Sequence, residues 1–139
     1  MSGEVRPAGA GDRDAIATLL RQLHGDSASE STLPAVRQES RTFVATTAGN
    51  TVGLAVATFV DYGVEAYGTV EELVVDAAHR GNGVGSALLE ESRQWLTGLG
   101  AQVVFVSAVY SPAEGFYTAA GFVRCTGPWL FWAAPAKSG

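Results

Sequence analysis

The spacing of apolar and polar positions predicts an alternation of helices and strands along this chain. Ile16, Leu19, Leu20 and Leu23 fall at i, i+3, i+4 and i+7, one face of a helix. Asp12 stands where an N-cap belongs and Gly25 ends the pattern. A short strand is expected before it, around Glu4 to Pro7. Asp26 to Leu33 is small and polar and reads as a loop. A weaker helix is expected over Leu33 to Ser40. Thr42 to Thr47 and Thr51 to Val60 read as hairpin strands around the turn residues Ala48-Gly49-Asn50. Asp61 to Gly68 is a loop, and Thr69 to Val75 is the strand to which the rest of the chain is joined.

After that strand come a short link, Asp76 to His79, and the run Arg80-Gly81-Asn82-Gly83-Val84-Gly85-Ser86. A helix follows to about Gly98, with Val84, Leu88, Trp95 and Leu99 on its apolar stripe and Ser92 between them. Glu90, Glu91, Arg93 and Gln94 lie away from that stripe and read as a solvated face. Gln102 to Ala108 holds the run Val103-Val104-Phe105-Val106, which suggests a buried strand parallel to the central one. Ser111-Pro112-Ala113-Glu114 reads as a capping box that opens a short helix, with Gly121 at its end. Phe122 to Cys125 and Leu130 to Ala133 are expected as two final strands.

Strand, glycine run and helix, in that order, make an anion site. Glycine lets the backbone approach a ligand closely, and the first N–H groups of a helix lack internal partners and carry partial positive charge. A phosphate or pyrophosphate is the natural occupant. A nucleotide P-loop needs a lysine after its last glycine, and Val84-Gly85-Ser86 has none. A dinucleotide fingerprint finds Ser86 at its third glycine and no acid between Ala101 and Ala113 for the ribose.

The run fits R-x-x-G-x-G, as Arg80-x-x-Gly83-x-Gly85, after a strand that ends Leu73-Val74-Val75. It resembles the coenzyme A loop of the GNAT acetyltransferases (the GCN5-related N-acetyltransferase superfamily). Ala113-x-x-Phe116-Tyr117-x-x-x-Gly121-Phe122 resembles the second signature of that family, with Tyr110 where the family has Asn. The resemblance implies an α+β fold with a mixed sheet, the GNAT-like acyl-CoA N-acyltransferase fold, whose central strand is splayed from its parallel neighbour. It covers about Val5 to Ala133, so residues 1–139 are expected to form one N-acetyltransferase domain with a flexible tail from about 134.

By the same resemblance, acetyl-CoA is the co-substrate. Backbone groups of Leu73, Val74 and Val75 pair with its pantetheine. Its pyrophosphate sits on the N–H groups of Gly81, Asn82, Gly83, Val84, Gly85 and Ser86, with Arg80 adding charge. Phe116 anchors the second motif, Tyr117 protonates the leaving thiolate, and Ser111 either contacts the cofactor in place of the missing Asn or simply caps the helix. Aminolysis of a thioester also needs a proton acceptor for the amine. Glu71 and Glu72 are the candidates. Some polyamine and small-amine acetyltransferases carry an acidic pair at this place, and Glu71 matches the member usually assigned as base. Neighbouring strand residues point to opposite faces, so only one glutamate reaches the acceptor unless a bulge intervenes. The alternative for either is a solvated or ion-paired carboxylate.

Composition narrows the picture. With 139 residues, 47% of them apolar, the chain can bury a sizeable core as one domain. A net charge of −5 argues against a nucleic-acid or anionic-membrane partner and is compatible with a cationic acceptor. One cysteine, Cys125, and two histidines, His24 and His79, supply neither a disulfide nor a metal cluster. His79 reads as link surface and His24 as a helix-end cation. Trp129 and Trp132 read as packing residues. No signal-peptide layout or membrane-length apolar run is present, so a soluble cytoplasmic enzyme is expected. The acceptor is a small-molecule or peptide amine, its pocket shaped by Gly25 to Pro34, Asp61 to Tyr67 and Arg124 to Leu130. A homodimer is compatible with the family. The competing function is a non-catalytic acyl-CoA-binding sensor or regulatory domain.

Overall fold

The computed structural model describes residues 3–108, 113–127 and 129–136. They fall into two compact units, Met1–Ser107 and Ala108–Gly139. The first unit carries α1 (Arg13–His24), β1 (Arg37–Thr47), β2 (Asn50–Asp61), β3 (Tyr67–Val75), α2 (Val84–Leu99) and β4 (Val103–Val106). The second carries α3 (Ala113–Ala119). The first unit is thus a mixed α+β structure, with a four-stranded sheet in the order β1-β2-β3-β4. Its first three strands are antiparallel, and β4 joins β3 in parallel.

Short-range chemistry explains the hairpin. Ala48 and Gly49 take φ values of 50° and 81°, and Thr47 pairs with Asn50 across them. Positive φ at both central residues is what a type I′ turn requires, and that turn matches the twist of the flanking strands. Along β2, Gly53, Ala55, Ala57 and Phe59 alternate onto the face covered by α2. Ala57 and Phe59 form the core with Ala66, Leu96 and Ala101, and Trp95, Leu99 and Val104 pack around it. Close approach is built in at Gly68, where a β-carbon would lie 2.5 Å from Leu96 Cδ2.

The apolar seam of α2 differs from the expected stripe. Leu88, Leu89, Ser92 and Leu96 are its buried residues, whereas Trp95 and Leu99 are half-buried at the edge. Ser92 is fully buried and satisfied, its hydroxyl donating to the Leu88 carbonyl at 2.8 Å. At the flank, Arg37 lies over the Phe59 ring and Arg41 over Trp95, which itself meets Phe43 edge-on. These arginines cover apolar surface with their stems and the aromatic faces with their guanidinium groups.

Four expected elements are corrected. No strand forms at residues 4–7: Val5 is the only strongly apolar residue there, and it is exposed. The segment instead leads into a 3-10 turn, Ala10–Asp12. Asp12 does not cap α1 with its side chain. Its carboxylate accepts from the Gly9 N–H at 2.8 Å and from both Arg6 terminal nitrogens at 2.9 and 3.0 Å. The weak helix over Leu33 to Ser40 is replaced by a turn closed by Ala35 N–H to Thr32 O and by the start of β1 at Arg37. The long apolar β2 supplies a ladder as far as Arg37↔Asp61, and the ladder outweighs local helix preference. The two final strands are absent from the described residues. The Phe122 N–H is taken by the Tyr117 carbonyl at the end of α3, and the Arg124 side chain turns back to Glu114. An isolated two-stranded ribbon has little to hold it.

Two loops of the first unit are locked together. The Thr32 N–H donates to the Tyr62 carbonyl at 2.8 Å, and the Gly63 N–H donates to the Asp61 carboxylate at 2.8 Å. Gly63, at φ 86°, lies so close to the Glu30 backbone that no β-carbon would fit. These are the two segments of the first unit that the sequence assigns to the acceptor pocket.

Candidate active site

The centre of β3 holds the two glutamates, and a bulge decides where they point. Val56 pairs with Glu72, but the next residue, Ala57, pairs with Val70, so Glu71 is an extra residue in β3. Val70 lies on the face covered by α2, where it is buried beside Ala57. Glu71 follows it onto the opposite face, and the added residue puts Glu72 on that face too, opposite Val56. Both carboxylates are exposed. Thr58, on the same face of β2, donates its hydroxyl to Glu71 Oε2 at 3.1 Å.

The parallel ladder ends at the same point. Pairing of β3 with β4 runs from Tyr67↔Val103 to Val70↔Val106. Beyond Val70, β3 continues with β2 on one side only, through Leu73↔Ala55, Val74↔Leu54 and Val75↔Gly53. Among the described residues, Leu73, Val74 and Val75 therefore have no strand on their other edge. Side chains of Leu73 and Val75 are half-buried and Val74 is exposed. Packing of the side chains and availability of the main-chain edge coexist, as the alternation of a strand allows.

The chain then turns into the glycine run. Asp76 caps the 3-10 turn Ala77–His79, accepting from the Ala78 N–H at 3.2 Å and meeting His79 Nδ1 at 2.9 Å. The hydrogen bond to His79 is the main cause that holds the Asp76 carboxyl below its usual range. Arg80 is exposed but not unanchored. Its Nε donates to the Val75 carbonyl at 3.1 Å, bracing the turn against the end of β3.

Gly81 and Gly83 adopt φ of 83° and 82°. That left-handed conformation strains other residues. A β-carbon at either would have no described atom within 4 Å, so the space beside both backbones is open. Gly83 is also the N-cap of α2 and supplies no side-chain acceptor. The first helical bond runs from the Ala87 N–H to the Gly83 carbonyl at 3.0 Å. The N–H groups of Val84, Gly85 and Ser86 precede it and have no carbonyl four residues back within the helix. Open space, donors without a partner inside the helix and the positive helix end suit an anion. Asn82, exposed, completes the run.

In the second unit, Tyr117 is buried on α3, its ring edge-on to Phe116 at 5.3 Å and to Phe122 at 5.6 Å. Phe116 is half-buried. Gly121 ends the helix at φ 98°, as the spacing predicts. Glu114 pairs with Arg124, whose hydrogen bond and charge hold its carboxyl below the usual range. Ser111 and Tyr110 lie outside the described residues, and so does the start of the expected capping box.

Thr58 escapes a reading of the sequence alone. Its partnership with Glu71 depends on the bulge, and no residue type in β3 announces that bulge.

Comparison with known proteins identifies the family and the fold. The family profile of the acetyltransferase (GNAT) domain matches residues 38–124, more than half of the chain. No curated protein sequence matches. Among solved structures, an aminoglycoside acetyltransferase from an uncultured soil metagenomic sample, in complex with sisomicin, is 23% identical with a TM-score of 0.61. That similarity covers 70% of this chain and 66% of the other. The aminoglycoside N-acetyltransferase AAC(6')-Iy in complex with CoA is 22% identical over 96% of this chain and 100% of its own, with a TM-score of 0.60. A transcriptional regulator from Bacillus halodurans C-125 is 18% identical over 93% of this chain and 97% of its own, with a TM-score of 0.59. At these identities the likeness is one of fold.

Proposed function

The chain belongs to the GNAT acetyltransferases, a family of acyltransferases, and on that premise we propose that it moves an acetyl group from acetyl-CoA directly to a primary amine. The observation that carries the reading is the edge of Leu73, Val74 and Val75, which no strand among the described residues pairs, leading straight into the open glycine turn at Gly81 and Gly83. The edge offers strand-like hydrogen bonds to an amide-bearing arm. The turn and the start of α2 offer N–H donors from Gly81 to Ser86 to a pyrophosphate, with Arg80 adding charge beside them. In this reading Phe116 is counted among the cofactor-binding residues, and Ser111 takes the place of the family Asn. Residues 1–139 act as one domain, in the cytoplasm, and no metal takes part.

Acetyl-CoA supplies an activated acyl group and a thiolate leaving group. The residues of the chain handle the protons. Glu71, with Glu72 beside it, accepts a proton from the acceptor ammonium, which frees the nitrogen lone pair. The amine forms the C–N bond as the C–S bond breaks. Tyr117 delivers its phenolic proton to the sulfur and recovers one from the nitrogen as the amide forms, so the net products are amide, thiol and one proton. A small-molecule acceptor is favoured over a peptide, because two structural neighbours are aminoglycoside acetyltransferases. Exposed carboxylates on the β3 face favour a cationic acceptor.

The test is an amine panel scored by free-thiol production, beside a thermal shift with acetyl-CoA. Turnover with any amine supports the enzyme. Stabilisation by acetyl-CoA without thiol release from any amine would favour a sensor or regulatory domain, a role open to this fold given the Bacillus regulator.

A further inference from the structure

We infer that Thr58 is a positioning residue that makes Glu71, rather than Glu72, the proton acceptor; the inference rests on the assignment of the base to this acidic pair. The bulge brings both carboxylates to one face, so direction alone does not separate them. Their cross-strand surroundings do. Glu72 stands opposite Val56, which has no donor. Glu71 reaches Thr58, whose hydroxyl donates to Oε2 at 3.1 Å.

A glutamate side chain on an exposed strand face turns about three bonds, and most of its conformers do not point at a bound amine. Thr58 is a suitable anchor. Its β-branched side chain has few χ1 options in a strand, so the ladder of β2 fixes the direction of the hydroxyl. A hydroxyl can donate to one carboxylate oxygen and leave the other uncommitted. Glu71 Oε2 is thereby held and Oε1 remains available to the ammonium. Thr58 touches neither reactant; it acts through Glu71.

The experiment compares Thr58→Val, Thr58→Ser, Glu71→Gln and Thr58→Val/Glu71→Gln. Thiol release from acetyl-CoA is followed with 1,4-diaminobutane as the acceptor probe, and melting temperatures and carboxyl-carbon NMR relaxation of Glu71 are recorded. Thr58→Val keeps the shape and strand preference of the residue. It is expected to lower kcat about 10-fold while KM for acetyl-CoA and the melting temperature stay near the parent. Thr58→Ser is expected to recover most of that loss, and Thr58→Val to cost nothing further once Glu71 is Gln. The Glu71 carboxyl is expected to be ordered in the parent and mobile in Thr58→Val, a readout that needs no acceptor. Parental kcat and an equally ordered Glu71 in Thr58→Val would overturn the role of Thr58 while a loss in Glu71→Gln left the base assignment standing. Parental kcat in Glu71→Gln would overturn the base assignment itself. Failure of Thr58→Ser to recover activity would assign Thr58 to packing.

Discussion

Gly68→Ala tests how α2 is seated on the sheet. A β-carbon at this position would lie 2.5 Å from Leu96 Cδ2, 2.8 Å from Cδ1 and 2.9 Å from Cγ. The crowding therefore reaches the branch point of the leucine as well as its ends, and rotation of the side chain does not relieve it. Leu96 is fully buried in the core with Ala57, Phe59 and Ala101, so it has nowhere to retreat. Overpacking of this kind costs about 2 kcal/mol. For a chain of this size that corresponds to a fall in Tm of roughly 6 to 10 °C. Leu96→Ala alone is expected to cost about 3 kcal/mol through its cavity. In the double variant the new methyl enters the space vacated by Leu96, so the combined loss should fall short of the sum by about 1 kcal/mol or more. Urea denaturation of the four proteins supplies the cycle. Additivity within about 0.5 kcal/mol would show that the two sites are not in contact, and the packing argument would fail.

Four further outcomes are expected. Gly83→Ala strains a residue at φ 82° by about 1 kcal/mol but meets no described atom, so calorimetry should show a far larger loss of acetyl-CoA affinity than of stability; equal, small losses would clear the turn of a ligand role. Tyr117→Phe should lower kcat on the order of 10²-fold with acetyl-CoA affinity kept, and a parental kcat would leave Tyr117 as packing between Phe116 and Phe122. Ala48→Asn, at φ 50° in the hairpin turn, should raise stability by roughly 0.5–1 kcal/mol in thermal melts, and a lower Tm would refute the turn assignment. The Arg6 hydrogen bonds, with that from the Gly9 N–H, bring the Asp12 carboxyl down to about 2, so its stabilising contribution is complete above its ordinary value and is lost as pH falls through about 2. The Tm gap between parent and Asp12→Asn should accordingly hold from pH 7 to about 4 and close below; a gap that widened in acid would reverse the sign.

Much of the fold is legible where one residue's chemistry decides its own conformation. The apolar runs of β2, β3 and β4, the turn at Ala48-Gly49 and the glycines that bound α2 all appear at or within a few residues of their expected places. What sequence does not carry is pairing. Arg37 and Glu39 fall within the expected weak helix, yet β1 includes them because β2 is long enough to pair with them and the Phe59 ring receives Arg37. The period of α2 suggests Trp95 for the seam, but Gly68 leaves its space to Leu96. The same holds at the site. Glycines and an Arg in register are visible as letters, whereas the shared face of Glu71 and Glu72 is a property of the register between two strands.

The interlock of Gly63 with the Glu30 backbone has a consequence for engineering. Residues 25–36 and 61–66 lie about thirty positions apart in sequence, yet a side chain added to one collides with the main chain of the other. Neither segment is a free variable. A graft that places any other residue at position 63 meets the Glu30 backbone, beside which the Thr32 to Tyr62 bond joins the two segments. Any exchange of these segments should therefore move the two together, with Gly63 retained where it meets the Glu30 backbone.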